Sequence, residues 1–232
     1  ERACAAMLRA SRVGALECEV YGEIARTLFA SGCDIGQGVL LHVGADNPAW
    51  GFPIWMSQGG RPRAIQAGDL VQAEIMPTYG GLMAQQQMSM VLGQPGEGLL
   101  RLADAARRAY EAALATIRPG ITFLELADAM EVPLAAAECW HTTPLVHSLS
   151  PNFLVGHLRV GMERMPGYSA SSGLRAIPAF GGETVLEPGM AFALEPNACS
   201  GGSRVNIGGT VVVTATGVEE LNSLATRMQV GT

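Results

Sequence analysis

Two glutamates occupy matching places in this chain. Glu74 closes the stretch Gly68-Asp69-Leu70-Val71-Gln72-Ala73-Glu74, and Glu195 closes Gly189-Met190-Ala191-Phe192-Ala193-Leu194-Glu195. Each stretch has a turn glycine, an apolar run of strand character and a carboxylate at its end. Carboxylates brought face to face in a partly apolar cleft repel each other and lose hydration, so at least one keeps its proton. Such a pair can serve as general acid and base, or hold a cationic group. His147 and His157 lie between the two glutamates in sequence and are candidates for the other half of an acid–base pair. Gln85 and Gln87, with Gln86 between them, would line the floor of such a cleft with neutral hydrogen-bonding groups that contact substrate. His42 and His141 read as ordinary core or surface histidines.

Something must hold these side chains opposite each other, and the local patterns say what. Residues 1–30 read as two helices broken at Arg12-Val13-Gly14, and Val39–Val43 as a strand. Leu70–Ile75 and Leu82–Leu92 read as strands of a hairpin turning at Tyr79-Gly80-Gly81. Residues 97–117 form the clearest amphipathic helix, and Pro119-Gly120 ends it. Thr122 then caps a second helix to about Ala137, which Pro133 is expected to kink or divide. Gly189–Glu195 and Gly208–Thr214 read as strands, followed by a helix-like tail.

The two halves echo each other. Gly14-Ala15-Leu16-Glu17-Cys18-Glu19-Val20 is matched by Gly120-Ile121-Thr122-Phe123-Leu124-Glu125-Leu126, in the same order as the two glutamate stretches. This predicts a duplicated helix–helix–strand–strand unit, with half-repeats of about 1–95 and 96–232, and the glutamates facing across a pseudo-twofold axis.

Composition narrows the chemistry. The chain has 232 residues, 48% hydrophobic and 16% charged, enough for one large α/β core over 1–232. All 15 basic residues are arginine, which excludes Schiff-base chemistry, pyridoxal phosphate anchoring and a phosphate-loop lysine. A net charge of −6 without a basic cluster makes nucleic acid and anionic membrane poor partners. The scattered cysteines, five in number, read as free thiols in a reducing cytoplasm. Gly167-Tyr168-Ser169-Ala170-Ser171 lacks the second glycine of a nucleophile elbow, and Gly93–Gly98 reads as a turn.

Four segments carry a family resemblance. Gly68-Asp69-Leu70-Val71 with its following carboxylate, Pro119-Gly120-Ile121-Thr122 with Glu125-Leu126, Leu186-Glu187-Pro188-Gly189-Met190-Ala191-Phe192-Ala193-Leu194-Glu195-Pro196, and Gly208–Thr214 with Gly217-Val218-Glu219-Glu220-Leu221 resemble, in order and spacing, the signatures of the creatinase / prolidase / methionine aminopeptidase superfamily. The resemblance implies the pita-bread fold: a pseudo-symmetric α/β (α+β) domain around a curved antiparallel sheet, with the active site in its concavity. The chain begins at Glu1 rather than Met, which leaves room for a preceding creatinase-type domain outside it.

The same resemblance implies, in typical members, two divalent metals held by two Asp, one His and two Glu. Here those positions fall on Glu74, Gln85, a histidine, Glu195 and Gly208. The histidine matches either His147, whose Val146-His147-Ser148 resembles the "GHS" form of creatinase-like members, or Gly156-His157; the former is favoured. Four carboxylates have become two. The expectation is therefore no metal cofactor, with manganese, cobalt or zinc as the ions to consider if one binds. The expected function is a creatinase-like hydrolase of an amide or related C–N bond, acting on a small molecule or short peptide. The alternatives are a metal-dependent Xaa-Pro aminopeptidase or dipeptidase, and a non-catalytic binding protein that reuses the cleft. Trp50, Phe52, Ile54, Trp55 and Met56 form an apolar loop suited to covering the cleft or to a homodimer interface.

Overall fold

The protein is described by a computed structural model covering residues 1–34, 38–44, 52–57, 59–142, 144–149, 180–224 and 226–232. His157, Trp50 and the stretch Gly167–Ser171 lie outside the described residues. Each half opens with a pair of helices. In the first half these are α1 (Arg2–Ala10) and α2 (Glu17–Ala30). A short α3 (Ile54–Ser57) follows, and the second half opens with α4 (Glu97–Thr116) and α5 (Phe123–Ala136). The strands that follow the first pair are β1 (Val39–Gly44), β2 (Leu70–Ile75), β3 (Thr78–Tyr79), β4 (Leu82–Met83) and β5 (Gln86–Leu92). Those of the second half are β6 (Val146–Ser148), β7 (Ala191–Leu194), β8 (Asn197–Ser200), β9 (Ser203–Asn206), β10 (Gly208–Val213), β11 (Val218–Glu220) and β12 (Gln229–Gly231).

The main sheet runs β1-β2-β5-β10-β7-β6 and is antiparallel along that path. Read from either edge inward, each half contributes an edge strand, a glutamate-bearing strand and a central strand, so the pseudo-twofold axis passes between β5 and β10. The equivalence reaches individual hydrogen bonds. The N–H of Gly14 donates to Ile65 O at 2.8 Å, and that of Gly120 to Leu186 O at 3.0 Å. Glu19 accepts from the Leu16 N–H at the start of α2, as Glu125 does from Thr122 at the start of α5. The turn glycines Gly68 and Gly189 share φ values of +88° and +91°, which only glycine adopts cheaply, and each turn leads into a glutamate-bearing strand.

Each half has its own core. Met7, Val20, Ile24, Leu41, Val71 and Leu92 are among the residues sealing α1 and α2 against the first half of the sheet. Leu102, Tyr110, Leu126, Met130, Phe192 and Val211 do the same for α4 and α5. Helices therefore cover one face of the sheet, and the opposite face is left for the site. The β8–β9 hairpin packs against α4 and is tied to the first half of the sheet, with Gln72 Nε2 donating to Arg204 O at 2.9 Å and Ser89 Oγ donating to Asn206 O at 2.7 Å.

Two expectations are corrected, a third is narrowed, and one element was missed. Leu82–Leu92 is not one strand: Thr210 Oγ1 takes up both the N–H and the C=O of Gln85, so pairing breaks between β4 and β5. Pro133 does not divide α5, because buried Met130 and Leu134 hold both sides of it in the core despite the missing N–H. The tail is not helical. Gly217 reverses the chain so that β11 pairs with β10, and β12 lies parallel to β5 where β5 and β10 have splayed apart. The β8–β9 hairpin was not anticipated at all; its turn is Ser200-Gly201-Gly202-Ser203, a polar cluster between strands too short to show a period.

Candidate active site

The cleft is built on one register row. Glu74 of β2 stands directly opposite Gln87 of β5, which stands opposite Gly208 of β10. Glu195 follows the last residue of β7, one step past the Leu194–Gly209 pair, and so falls beside Gly208. His147 of β6 pairs with Ala193. The duplicated fold thus brings Glu74, Gln85, Gln87, His147 and Glu195 together; His157 lies outside the described residues.

The contacts are specific. Gln85 Nε2 donates to Glu74 Oε1 at 2.8 Å and to Glu195 Oε2 at 2.9 Å, so one amide group bridges the two carboxylates. Gln87 Nε2 also donates to Glu195 Oε2, at 2.5 Å. The other oxygen of Glu195, Oε1, stands 3.6 Å from His147 Nε2. His147 Nδ1 lies 2.8 Å from the Ser148 carbonyl, which can only accept; Nδ1 therefore carries a proton, and Nε2 faces Glu195. Gln85 and Gln87 spend their nitrogens on the glutamates, and their Oε1 atoms are buried without a hydrogen-bond partner among the described residues.

All five side chains are buried, Gln85 and Gln87 at 2% exposure and Glu195 at 6%. Met76, Met83, Leu149 and Ala193 make an apolar wall, with Leu40 packed against it. Burial pushes the Glu195 carboxyl well above the usual carboxylate range. The nearby Glu74 charge raises it further, and Arg204 and the Gln85 amide offset only part of this. Glu195 thus presents one oxygen that accepts from two amides and another, suited to carry a proton, that faces the Nε2 atom of His147.

Several residues that shape the site escaped sequence reasoning. Thr210 fixes the Gln85 backbone through its hydroxyl. Asn197 holds the chain after Glu195, its Nδ2 donating to Glu195 O at 3.3 Å while its Oδ1 accepts from Thr142. Arg204, on β9, is almost wholly buried. The available signals were weak: a threonine after two glycines, and an arginine in the alternating run Ser203-Arg204-Val205-Asn206.

The donors do not suit a pair of divalent ions. Two hard cations need several anionic oxygens, some of them bridging. The described cleft offers two carboxylates, and an amide N–H points at both from the position between them. Gly208 cannot be read as a truncated ligand either. With φ at +149°, a Cβ there would lie 2.0 Å from Leu194 O and 2.9 Å from Glu195 Cα. The backbone of β7 has closed on the space through which a fourth carboxylate would have to leave the chain. Among the described residues, no three His, Cys, Asp or Glu side chains are grouped to hold a metal ion.

A curved sheet with twofold-related helix pairs and a carboxylate–histidine cleft in its concavity defines the pita-bread class of hydrolase folds. The chain belongs to metallopeptidase family M24, whose sequence model matches residues 1–215. It is 27% identical over 215 residues, 90% of this chain and 50% of the other, to the Mycobacterium tuberculosis protein named "Probable dipeptidase PepE". It is 33% identical over 188 residues, 78% of this chain and 41% of the other, to the "Agropine synthesis cyclase" of Rhizobium rhizogenes. The crystal structure of an X-Pro aminopeptidase from Thermotoga maritima superposes with a TM-score of 0.73 at 18% identity, covering 99% of this chain and 59% of that one. The chain spans about half the length of the curated relatives it matches. Among the described residues, no helix is long and apolar enough to cross a membrane.

Proposed function

We propose that this protein hydrolyses an amide or related C–N bond in a small substrate by carboxylate–histidine chemistry, without a metal ion. The observation that carries the reading is the Gln85 amide, which lies between Glu74 and Glu195 and donates to both. In the proposed reaction His147 Nε2 takes a proton from an attacking water as its oxygen bonds to the substrate carbon. Glu195 gives its proton to the departing nitrogen as the C–N bond breaks, and proton transfer from His147 to Glu195 across the 3.6 Å gap resets the site. Glu74 keeps its charge and holds the Gln85 amide in place. The unpartnered Oε1 atoms of Gln85 and Gln87, together with the Glu74 carboxylate, favour a substrate rich in N–H donors, such as an amine or guanidine, over a plain peptide. Membership of a peptidase family supports C–N bond hydrolysis as the class of chemistry, and the resemblance to a protein named as a cyclase supports a substrate that is not a peptide.

The test is a panel of small amides, guanidines and proline-containing dipeptides, assayed before and after exhaustive chelation. Turnover unchanged by chelation, and strongest on a compound bearing a cationic nitrogen, is the expected result. Turnover that appears only with added manganese, cobalt or zinc would overturn the reading.

A further inference from the structure

His141 is fully buried, yet both of its ring nitrogens face acceptors. Nδ1 lies 2.8 Å from the Thr142 carbonyl, which can only accept, so Nδ1 carries a proton. Nε2 lies 2.5 Å from Glu131 Oε1 on α5, and so short a gap between a ring nitrogen and a carboxyl oxygen holds a proton as well. A ring bonded at both edges cannot turn without breaking one of the bonds. It ties the chain that leaves α5 back onto that helix.

The next residue carries the tie on to the cleft. Thr142 gives its N–H and its hydroxyl to Asn197 Oδ1, at 2.7 and 2.9 Å. Asn197 Nδ2 returns to the Thr142 carbonyl at 3.2 Å and reaches the Glu195 carbonyl at 3.3 Å. The Thr142 N–H can only donate, which fixes which way the Asn197 amide points. The Thr142 carbonyl thus accepts from His141 and from Asn197 together. On one side of this clamp Trp140 pairs with Cys199 through two backbone bonds; on the other, the Glu195 N–H donates to Leu145 O at 2.9 Å. Two residues past Leu145 stands His147, whose Nε2 is 3.6 Å from Glu195 Oε1. The stretch that delivers His147 is therefore anchored to α5 through His141, and to the backbone of Glu195 through Asn197 and Leu145.

We propose that His141 is a positioning residue for the cleft: locked between Glu131 and the Thr142 carbonyl, it fixes the stretch that carries His147 and so sets the gap between His147 and Glu195. The inference rests on the reading of His147 and Glu195 as an acid–base pair, but its test needs no substrate. The readout is the NMR spectrum of the histidine rings in isotope-labelled protein, freed of metal by chelation and held at neutral pH. The chain has four histidines, so each ring is assigned by substitution. Glu131→Ala and His141→Phe should both displace the His147 ring signals. Glu131→Gln should leave them at their wild-type positions, because an amide still reaches Nε2 with a hydrogen-bonding group. Leu102→Ala, a core truncation on α4 in the same half, should lower the thermal midpoint at least as far as Glu131→Ala without displacing them. If His141→Phe does not fold, Glu131→Ala carries the comparison, since the Glu131 side chain is 21% exposed and its loss leaves the ring in place. His147 signals unmoved in Glu131→Ala, moved as far by Leu102→Ala, or not restored by Glu131→Gln would each overturn the proposal. On the best substrate of the panel, Glu131→Ala should lower kcat about 10-fold with KM nearly unchanged. Displaced signals with unchanged turnover would uphold the positioning and contradict the acid–base role of His147, which separates the two readings.

Discussion

Replacing Gly208 with alanine is expected to lower the thermal midpoint by about 10 °C or to prevent folding, from strain and backbone overlap of roughly 4 kcal/mol together. The added Cβ would meet Leu194 O at 2.0 Å and Glu195 Cα at 2.9 Å. Both are backbone atoms, at the end of β7 and just past it, so relief requires moving that end of β7 away from β10. Gly209→Ala provides the comparison. Its Cβ would lie 1.8 Å from Asn222 Nδ2, the far end of a side chain that can swing aside. The loss at 209 should therefore be a small part of the loss at 208. Thermal unfolding followed by circular dichroism decides the point, and equal midpoints for the two variants would contradict it. The consequence reaches beyond stability: a carboxylate cannot be restored at position 208 by substitution alone.

The second large effect concerns Glu195. Glu195→Gln should reduce turnover by at least about 100-fold, because an amide has no proton to give the leaving nitrogen. It should also make the protein more stable at neutral and mildly alkaline pH. Burial raises the native carboxyl above its ordinary value of 4.5, and Glu74 raises it further. The native state therefore holds a proton that the unfolded chain has released, and it holds more protons than the unfolded state across that window. Stability from this group is complete below about pH 4.5 and is lost as pH rises through the native value. A glutamine removes that loss while keeping the contacts: its oxygen accepts from Gln85 and Gln87 where Oε2 did, and its NH₂ donates toward His147 where Oε1 stood. The gain in midpoint over wild type should grow from pH 5 to pH 8. A gain that stays constant or shrinks between pH 5 and pH 8 would show that Glu195 is ionised in the native state.

The duplicated frame was legible because its signals are local and strong. Gly68 and Gly189 require left-handed backbone, Glu19 and Glu125 close helix starts, and α4 shows a clean helical period. The opposition of Glu74 and Glu195 followed from that duplication. Bonds between segments distant in sequence were not legible. Thr210 reaches back to Gln85, Arg204 and Asn206 lie over Gln72 and Ser89, and Gln85 bridges two strands from opposite halves. Nothing in the three consecutive glutamines says that Gln85, rather than Gln87, spans both carboxylates. That depends on the break between β4 and β5, which Thr210 imposes. The sequence shows that Gly208 has no side chain but not that the backbone at Leu194 and Glu195 lies against it.

On the proposed reading, the Gln85 amide occupies the place between Glu74 and Glu195 that a metal ion would otherwise take. Elemental analysis tests it most directly, on protein purified without chelator, offered manganese, cobalt and zinc in turn, and freed of unbound metal. The account predicts well under one ion per chain for each metal. One or two tightly held ions per chain would contradict it, and Gln85 would then have to present its oxygen rather than its nitrogen to the space between the glutamates.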